Sequence, residues 1–187
     1  EVANTILGGS FSSRLNLNLR EEHGYAYGAG SGFDMRSSAG AFVAAAGVQA
    51  DKTAEALREF LNELGGMSAK PVSGDELSRA KNYLALGFPG QFETSGDLSR
   101  QIEELIVYTL PEDYHRSYVG EIQKVTAAAV QKVAATYMQP SKFAVVIVGD
   151  RATIEPAIRA LELPQPIRVM SVDEALDASA PVSAPRR

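Results

Sequence analysis

The chain has 187 residues, 45% hydrophobic and 22% charged, which is the make-up of an ordinary globular protein of one domain. Lys and Arg number 18 against 23 Asp and Glu, and a net charge of -5 leaves no basic footprint for a sequence-independent nucleic-acid binder. With no Cys there are no disulfides, thiolate zinc ligands or Cys nucleophiles, and no apolar run approaches the ~20 residues of a membrane span.

Ile6 and Leu7 read as the end of a helix stopped by Gly8-Gly9. The chain opens at Glu1 without Met, so the sequence is expected to start inside a larger protein, and a leader could lie upstream. Ser12 or Ser13 is placed to cap a second helix with Leu15 and Leu19 on one side, ended by Gly24. Residues 25–35 then alternate, with Tyr25, Tyr27, Ala29, Ser31, Phe33 and Met35 on one face and Gly28, Gly30 and Gly32 on the other. A glycine-rich strand face permits close approach of another backbone. A turn over Arg36 to Gly40 returns the chain as a second strand, Ala41 to Val48, which completes a hairpin.

Helices follow. One is capped by Asp51, buries Leu57, Phe60, Leu61 and Leu64, and is ended by Gly65-Gly66. The next opens on the capping box Ser73-x-x-Glu76 and is interrupted at Phe88-Pro89-Gly90. A third starts at Thr94 or Ser95 with Leu98, Ile102, Leu105 and Ile106 inward. Pro111 suits the first turn of a short helix, and Thr126 caps another that carries Val130, Val133 and Tyr137 up to Pro140. Phe143 to Val148 is an apolar run that predicts a buried strand closed by Gly149-Asp150. Ile154 to Leu161 predicts a last helix, Ile167 to Val172 an edge strand, and Asp177 to Arg187 a disordered tail. The order predicts an α+β domain of two layers, a mixed or antiparallel sheet packed by helices, over residues 1–163, with 164–187 as an extension.

The chemistry-bearing residues are few. A hydrolytic zinc site needs three protein ligands, and the chain has only His23 and His115, neither in a His-Glu-x-x-His or a His-x-x-Glu-His pattern. Ser31 lies in Gly30-Ser31-Gly32, within strand-like surroundings rather than at a nucleophile elbow, and reads as a small strand residue. Gly28-x-Gly30-x-Gly32 opens no helix, so it is no dinucleotide fingerprint. Glu21-Glu22 and Glu103-Glu104 read as solvated helix faces. Arg20, at a helix C-terminus, and Tyr27, on the strand that follows, are placed to grip a peptide backbone. The bland alternatives are an arginine that complements the helix dipole and a core tyrosine with its hydroxyl at the surface.

Asn4-x-x-Leu7-Gly8-Gly9, Ser13-Arg14-Leu15 and Arg20-Glu21-x-x-Gly24-x-x-Tyr27 resemble the C-terminal half-domain of the pitrilysin/insulinase family of zinc metallopeptidases, which includes the mitochondrial processing peptidases and their two-domain bacterial relatives. Glu76-Leu77-x-x-Ala80-Lys81-Asn82, Leu110-Pro111-x-x-Tyr114 and Val146-x-Val148-Gly149-Asp150 extend the resemblance, in order, to about residue 160. The resemblance implies a half-domain of the LuxS/processing-peptidase type that lacks its first strand and helix. It implies no cofactor in this chain and zinc in a partner half-domain or subunit of the same family, with full-length subunits forming homo- or heterodimers. Arg20 and Tyr27 then bind peptide and stabilise the oxyanion, and Tyr25 and Gly28 line the same substrate site. Tyr25 departs from the family, where an aliphatic residue is common, and competes with Tyr27 for the role; the spacing from Arg20 favours Tyr27. No nucleic-acid or membrane partner is expected, and the bacterial relatives imply cytoplasm or periplasm. The alternative within the family is a structural scaffold subunit without peptidase function, against which the presence of both Arg20 and Tyr27 argues. A serine hydrolase built on Ser31 is a third, unrelated reading.

Overall fold

The computed structural model describes residues 1–164 and 166–177. At its centre lies helix α1 (Val2–Leu7), in which Val2, Ala3, Thr5, Ile6 and Leu7 are all buried. So short a helix is buried on every side only when other elements surround it. Its neighbours include α3 (Thr53–Ala69), α4 (Gly74–Gly87), α7 (Ala127–Tyr137) and strand β1 (Ala26–Phe33). Gly8 is its C-cap, as the Gly8-Gly9 pair predicts.

Helix α2 (Arg14–Asn16) continues without a break into a π-helical turn, Leu17–Glu22. Gly24 then adopts φ 63° and swings the chain into β1, a left-handed conformation that glycine reaches without a Cβ clash. β1 pairs antiparallel with β2 (Phe42–Val48). Along β2, Phe42, Ala44, Ala46 and Val48 pack on the core, while Val43, Ala45 and Gly47 are exposed. That is the alternation of a strand with one face covered. The helices lie on that covered face, so the α+β class read from the sequence holds. Helices α5 (Ser95–Val107), α6 (Tyr114–Lys124), α8 (Arg151–Arg159) and α9 (Val172–Leu176) complete the described chain. Among the described residues no helix is long and apolar enough to cross a membrane.

Local signals are realised where they close on themselves. The Ser73 hydroxyl accepts from the Glu76 N–H at 3.2 Å, and the Glu76 carboxylate accepts from the Ser73 N–H at 2.9 Å. Thr94 caps α5 in the same reciprocal way with Asp97, and Thr126 caps α7.

Four expectations are corrected. Residues 143–148 form no strand, and among the described residues the sheet has two strands only; a strand needs a neighbour to hydrogen-bond, and none lies beside this run. Residues 167–171 likewise pair with no strand among the described residues, and Val172 instead opens α9. Helix α3 runs through Gly65-Gly66 to Ala69, because fully buried Met67 draws the last turn into the core and offsets the roughly 1 kcal/mol that each helical glycine costs. The α5 stripe faces outward in part, with Leu98, Ile102 and Ile106 exposed; periodicity shows that a helix has an apolar face, not that something covers it. The predicted disordered tail, beyond Asp177, lies outside the described residues.

Two sequence blocks meet in one ion pair. The Arg14 guanidinium donates to both carboxylate oxygens of Glu76, at 2.6 and 3.2 Å, and so ties α2 to the cap of α4. With Arg14 as the largest cause, the Glu76 carboxyl is held down from 4.5 to about 2. The folded form therefore favours the ionised group more than the unfolded chain does. This contribution is fully present above pH 4.5 and is lost as pH falls toward 2. Glu76→Gln is expected to lower stability by about 2 kcal/mol at neutral pH and by nothing near pH 2, read from urea midpoints across that range.

Candidate functional site

The register of β1 on β2 slips between Ala26, opposite Val48, and Ala29, opposite Ala46. Three residue steps on β1 thus match two on β2, which is a bulge carrying Tyr27 and Gly28. A bulge re-aims the side chain that it carries. Tyr27 is 94% exposed, whereas Tyr25 lies before the strand, packs on the core and stacks on His23 at 4.9 Å. Strict alternation would have put both tyrosines on one face; the extra residue breaks that phase and separates them.

Arg20 sits on the π-helical turn, a widened turn that often occurs at functional sites. Its guanidinium carbon lies 4.2 Å from the Phe11 ring centroid and 5.8 Å from that of Tyr27. Both rings lie within cation–π reach and leave its terminal donors unused. Its Nε is 3.4 Å from the Glu21 carboxylate, a pair open to solvent and of little energetic weight. Among the described residues no hydrogen bond engages the terminal guanidinium nitrogens or the Tyr27 hydroxyl. The helix and the bulge thus bring together the two groups singled out by their spacing, with their polar ends free.

What holds the two elements in place is Asn16. Its amide nitrogen donates to the Ala29 carbonyl at 2.6 Å, and its oxygen accepts from the Ala29 N–H at 3.0 Å. The same nitrogen reaches the Ser10 carbonyl and the Ser13 hydroxyl, both at 3.2 Å. The side chain stands in for a missing strand along that edge of β1, directly beside the bulge. The sequence held a signal for it: Asn16 lies on the same helical side as Leu15 and Leu19, a polar residue on an apolar stripe. Phe11 carried no comparable signal.

The close approach expected of the glycine-rich strand exists, but Gly8 enables it. A Cβ on Gly8 would come within 2.6 Å of the Ser31 backbone nitrogen, whereas one on Gly28 would meet nothing nearer than Asn16 Oδ1 at 3.6 Å. Ser31 is committed there: its N–H donates to the Gly8 carbonyl and its hydroxyl to Asn4 Oδ1 at 2.7 Å. His23 lies against Tyr25 and His115 against Phe92. Among the described residues no three His, Cys, Asp or Glu side chains gather as a metal site.

The chain is similar to known proteins. Residues 1–84, which contain every side chain of the site, match the family model described as the peptidase M16 inactive domain. Over residues 1–84 the chain is thus similar to a peptidase M16 inactive domain. A crystal structure of a peptidase M16 inactive domain from Pseudomonas fluorescens superposes with a TM-score of 0.69 at 25% identity, covering 75% of this chain and 34% of that one. An uncharacterized zinc protease of Mycobacterium tuberculosis is 26% identical over 171 residues, which is 90% of this chain and 37% of that protein. An uncharacterized zinc protease of Rickettsia felis is 38% identical over 79 residues, 42% of this chain and 19% of that protein. The chain thus spans little more than a third of the first of these relatives. The M16 match also gives the Arg14–Glu76 pair its context, since both residues fall within it.

Proposed function

We propose that this M16 inactive domain is the substrate-binding half of a divided zinc peptidase. The observation that carries the reading is the placement of Arg20 and Tyr27, a guanidinium beside two aromatic rings and a phenol re-aimed by a bulge, close together, with the terminal guanidinium nitrogens and the phenol hydroxyl unpaired among the described residues. Arg20 offers forked donors to the carbonyls of an extended peptide. The Tyr27 hydroxyl donates to the scissile carbonyl oxygen as negative charge develops there. Tyr25, stacked on His23 and turned to the core, supports the site from behind, and Gly28 keeps the bulge clear for a peptide backbone.

Zinc belongs in this reading to a partner half-domain or subunit of the same family, where it would supply Lewis-acid chemistry; the described residues of this chain do not fit it. The names of the Mycobacterium and Rickettsia relatives support a zinc protease as the whole. Residues 1–163 form the working half-domain and 164–187 an extension, within a bacterial dimer of full-length subunits.

The test is reconstitution. A quenched fluorescent peptide is incubated with the chain alone, with a zinc-bearing M16 half-domain alone, and with both. Cleavage that is sensitive to chelator is expected only from the mixture. Chelator-sensitive cleavage by this chain alone would overturn the proposal.

A further inference from the structure

Among the described residues the only π-helical segment is Leu17–Glu22, the turn that carries Arg20. One of its bonds runs from the His23 N–H to the Asn18 carbonyl, five residues back, at 3.0 Å. Arg20 therefore lies inside a turn one residue wider than an α turn. In an α-helix one residue is about 100° of rotation, so the wider turn sets where Arg20 points.

Both ends of this turn are fixed by the backbone beside them. Asn16 clamps its start to Ala29, and at its end the Leu19 carbonyl accepts from the Tyr25 N–H at 2.8 Å. The middle is held by a side chain. The amide nitrogen of Asn18 donates to the Glu63 carboxylate at 2.9 Å and to that of Glu59 at 3.2 Å, and the two glutamates lie one turn apart on α3. Hydrogen bonds to ionised acceptors are roughly twice as strong as neutral ones.

The same side chain leaves its oxygen buried and without a hydrogen-bond partner among the described residues. Turning the amide over would set that oxygen against two carboxylates, so its orientation is fixed. Buried acceptors left unpaired are rare in native folds and call for a reason. A contact that leaves one acceptor unpaired while it grips two carboxylates is poorly explained by stability alone, and it lies two residues from Arg20.

We propose that Asn18 is a positioning residue for Arg20. By tying the π turn to Glu59 and Glu63 it fixes the extra residue of that turn and holds the guanidinium beside Phe11 and Tyr27. Asn18 touches no substrate and acts through the backbone of residues 18–23. Its effect on turnover rests on the peptide-gripping role proposed for Arg20, whereas its effect on geometry does not.

The geometry is read on the 187-residue chain by proton–nitrogen NMR of the arginine Nε–H groups. The Arg20 guanidinium carbon lies 4.2 Å from the Phe11 ring centroid, so the Arg20 resonance is displaced by the ring current, and Phe11→Leu marks its position without the ring. Asn18→Ala is expected to move the resonance toward that position. So is Glu59→Ala combined with Glu63→Ala, which removes both acceptors and keeps α3, alanine being the best helix former. Glu59→Gln combined with Glu63→Gln retains carbonyl acceptors and is expected to leave the resonance in place.

In the reconstituted enzyme, Asn18→Ala is expected to lower kcat/KM roughly tenfold, mainly through KM. Added to Arg20→Met it should cost less than about twofold more, because a residue that acts only through Arg20 has nothing left to position. A general structural role would add its full loss. An Arg20 resonance that stays in place in Asn18→Ala or in the alanine pair would overturn the proposal, as would full additivity with Arg20→Met. If Asn18→Ala does not fold, the alanine pair decides. If Arg20→Met left turnover unchanged, the peptide-gripping reading would fall, and the resonance would still decide the positioning.

Discussion

Asn16→Ala is expected to lower stability by about 3 kcal/mol, the largest loss from any single polar side chain near the site. The side chain is 8% exposed and Ala29, which it serves, 9%. Truncation leaves the Ala29 N–H and C=O both buried and unpaired, and each such group costs about 1–3 kcal/mol. For a domain of this size that shifts the melting midpoint by roughly 6–12 °C. Asn16→Asp is expected to fare little better. Its carboxylate still accepts from the Ala29 N–H but has no proton for the Ala29 carbonyl 2.6 Å away. Asn62→Ala is the comparison. Asn62 is exposed and its one side-chain hydrogen bond, to Glu59, is 3.4 Å long, so its loss stays within about 0.5 kcal/mol. Urea unfolding measures all three, with a shift in midpoint and an unchanged slope. Equal midpoints for Asn16→Ala and Asn62→Ala would mean that the Asn16 clamp carries no load.

The contrast between Asn16 and the capping boxes explains what the sequence made legible. Ser73 with Glu76 and Thr94 with Asp97 are three residues apart, so donor, acceptor and geometry all lie in one turn and can be read directly. Gly24 is legible for the same reason, as a local backbone demand. Arg20 and Tyr27 were found through spacing and resemblance, but spacing alone gave the wrong phase. It assumed strict alternation, and the bulge between Ala26 and Ala29 depends on how β1 lies against β2. Asn16 with Ala29 and Arg14 with Glu76 are pairings across 13 and 62 residues, and even where the apolar stripe marks Asn16 as unusual, nothing local names its partner. The run 143–148 shows the opposite error. Its residues say strand correctly as a preference, but pairing belongs to whatever lies beside it, and among the described residues no strand does. The α5 stripe is the helical version of the same lesson: Ile102 and Ile106 reveal an apolar face without revealing its cover.

In the reconstituted enzyme, Tyr27→Phe is expected to lower kcat by about 10²–10³ with KM little changed, the usual loss when one oxyanion donor is removed. The reasoning rests on where the hydroxyl is. At 94% exposure and without a hydrogen-bond partner among the described residues, it contributes nothing to the fold. Its removal should move stability by less than about 0.5 kcal/mol. A donor that waits unpaired gains most when charge appears on the substrate oxygen, so its loss falls on the transition state and not on ground-state binding. Arg20→Met is expected to divide differently. The guanidinium contacts peptide carbonyls before and during reaction, so KM should rise, with kcat/KM falling roughly 10- to 100-fold, the equivalent of about 1.5–3 kcal/mol for hydrogen bonds to a charged group. Tyr25→Phe, on the core side of the bulge, should leave both constants within about twofold, because it keeps the ring that stacks on His23. The three variants together separate the readings. If Tyr27→Phe and Arg20→Met left turnover and peptide affinity unchanged while the assembly persisted, the domain would be a scaffold. If Tyr25→Phe carried the loss in kcat, the bulge would have been assigned the wrong tyrosine.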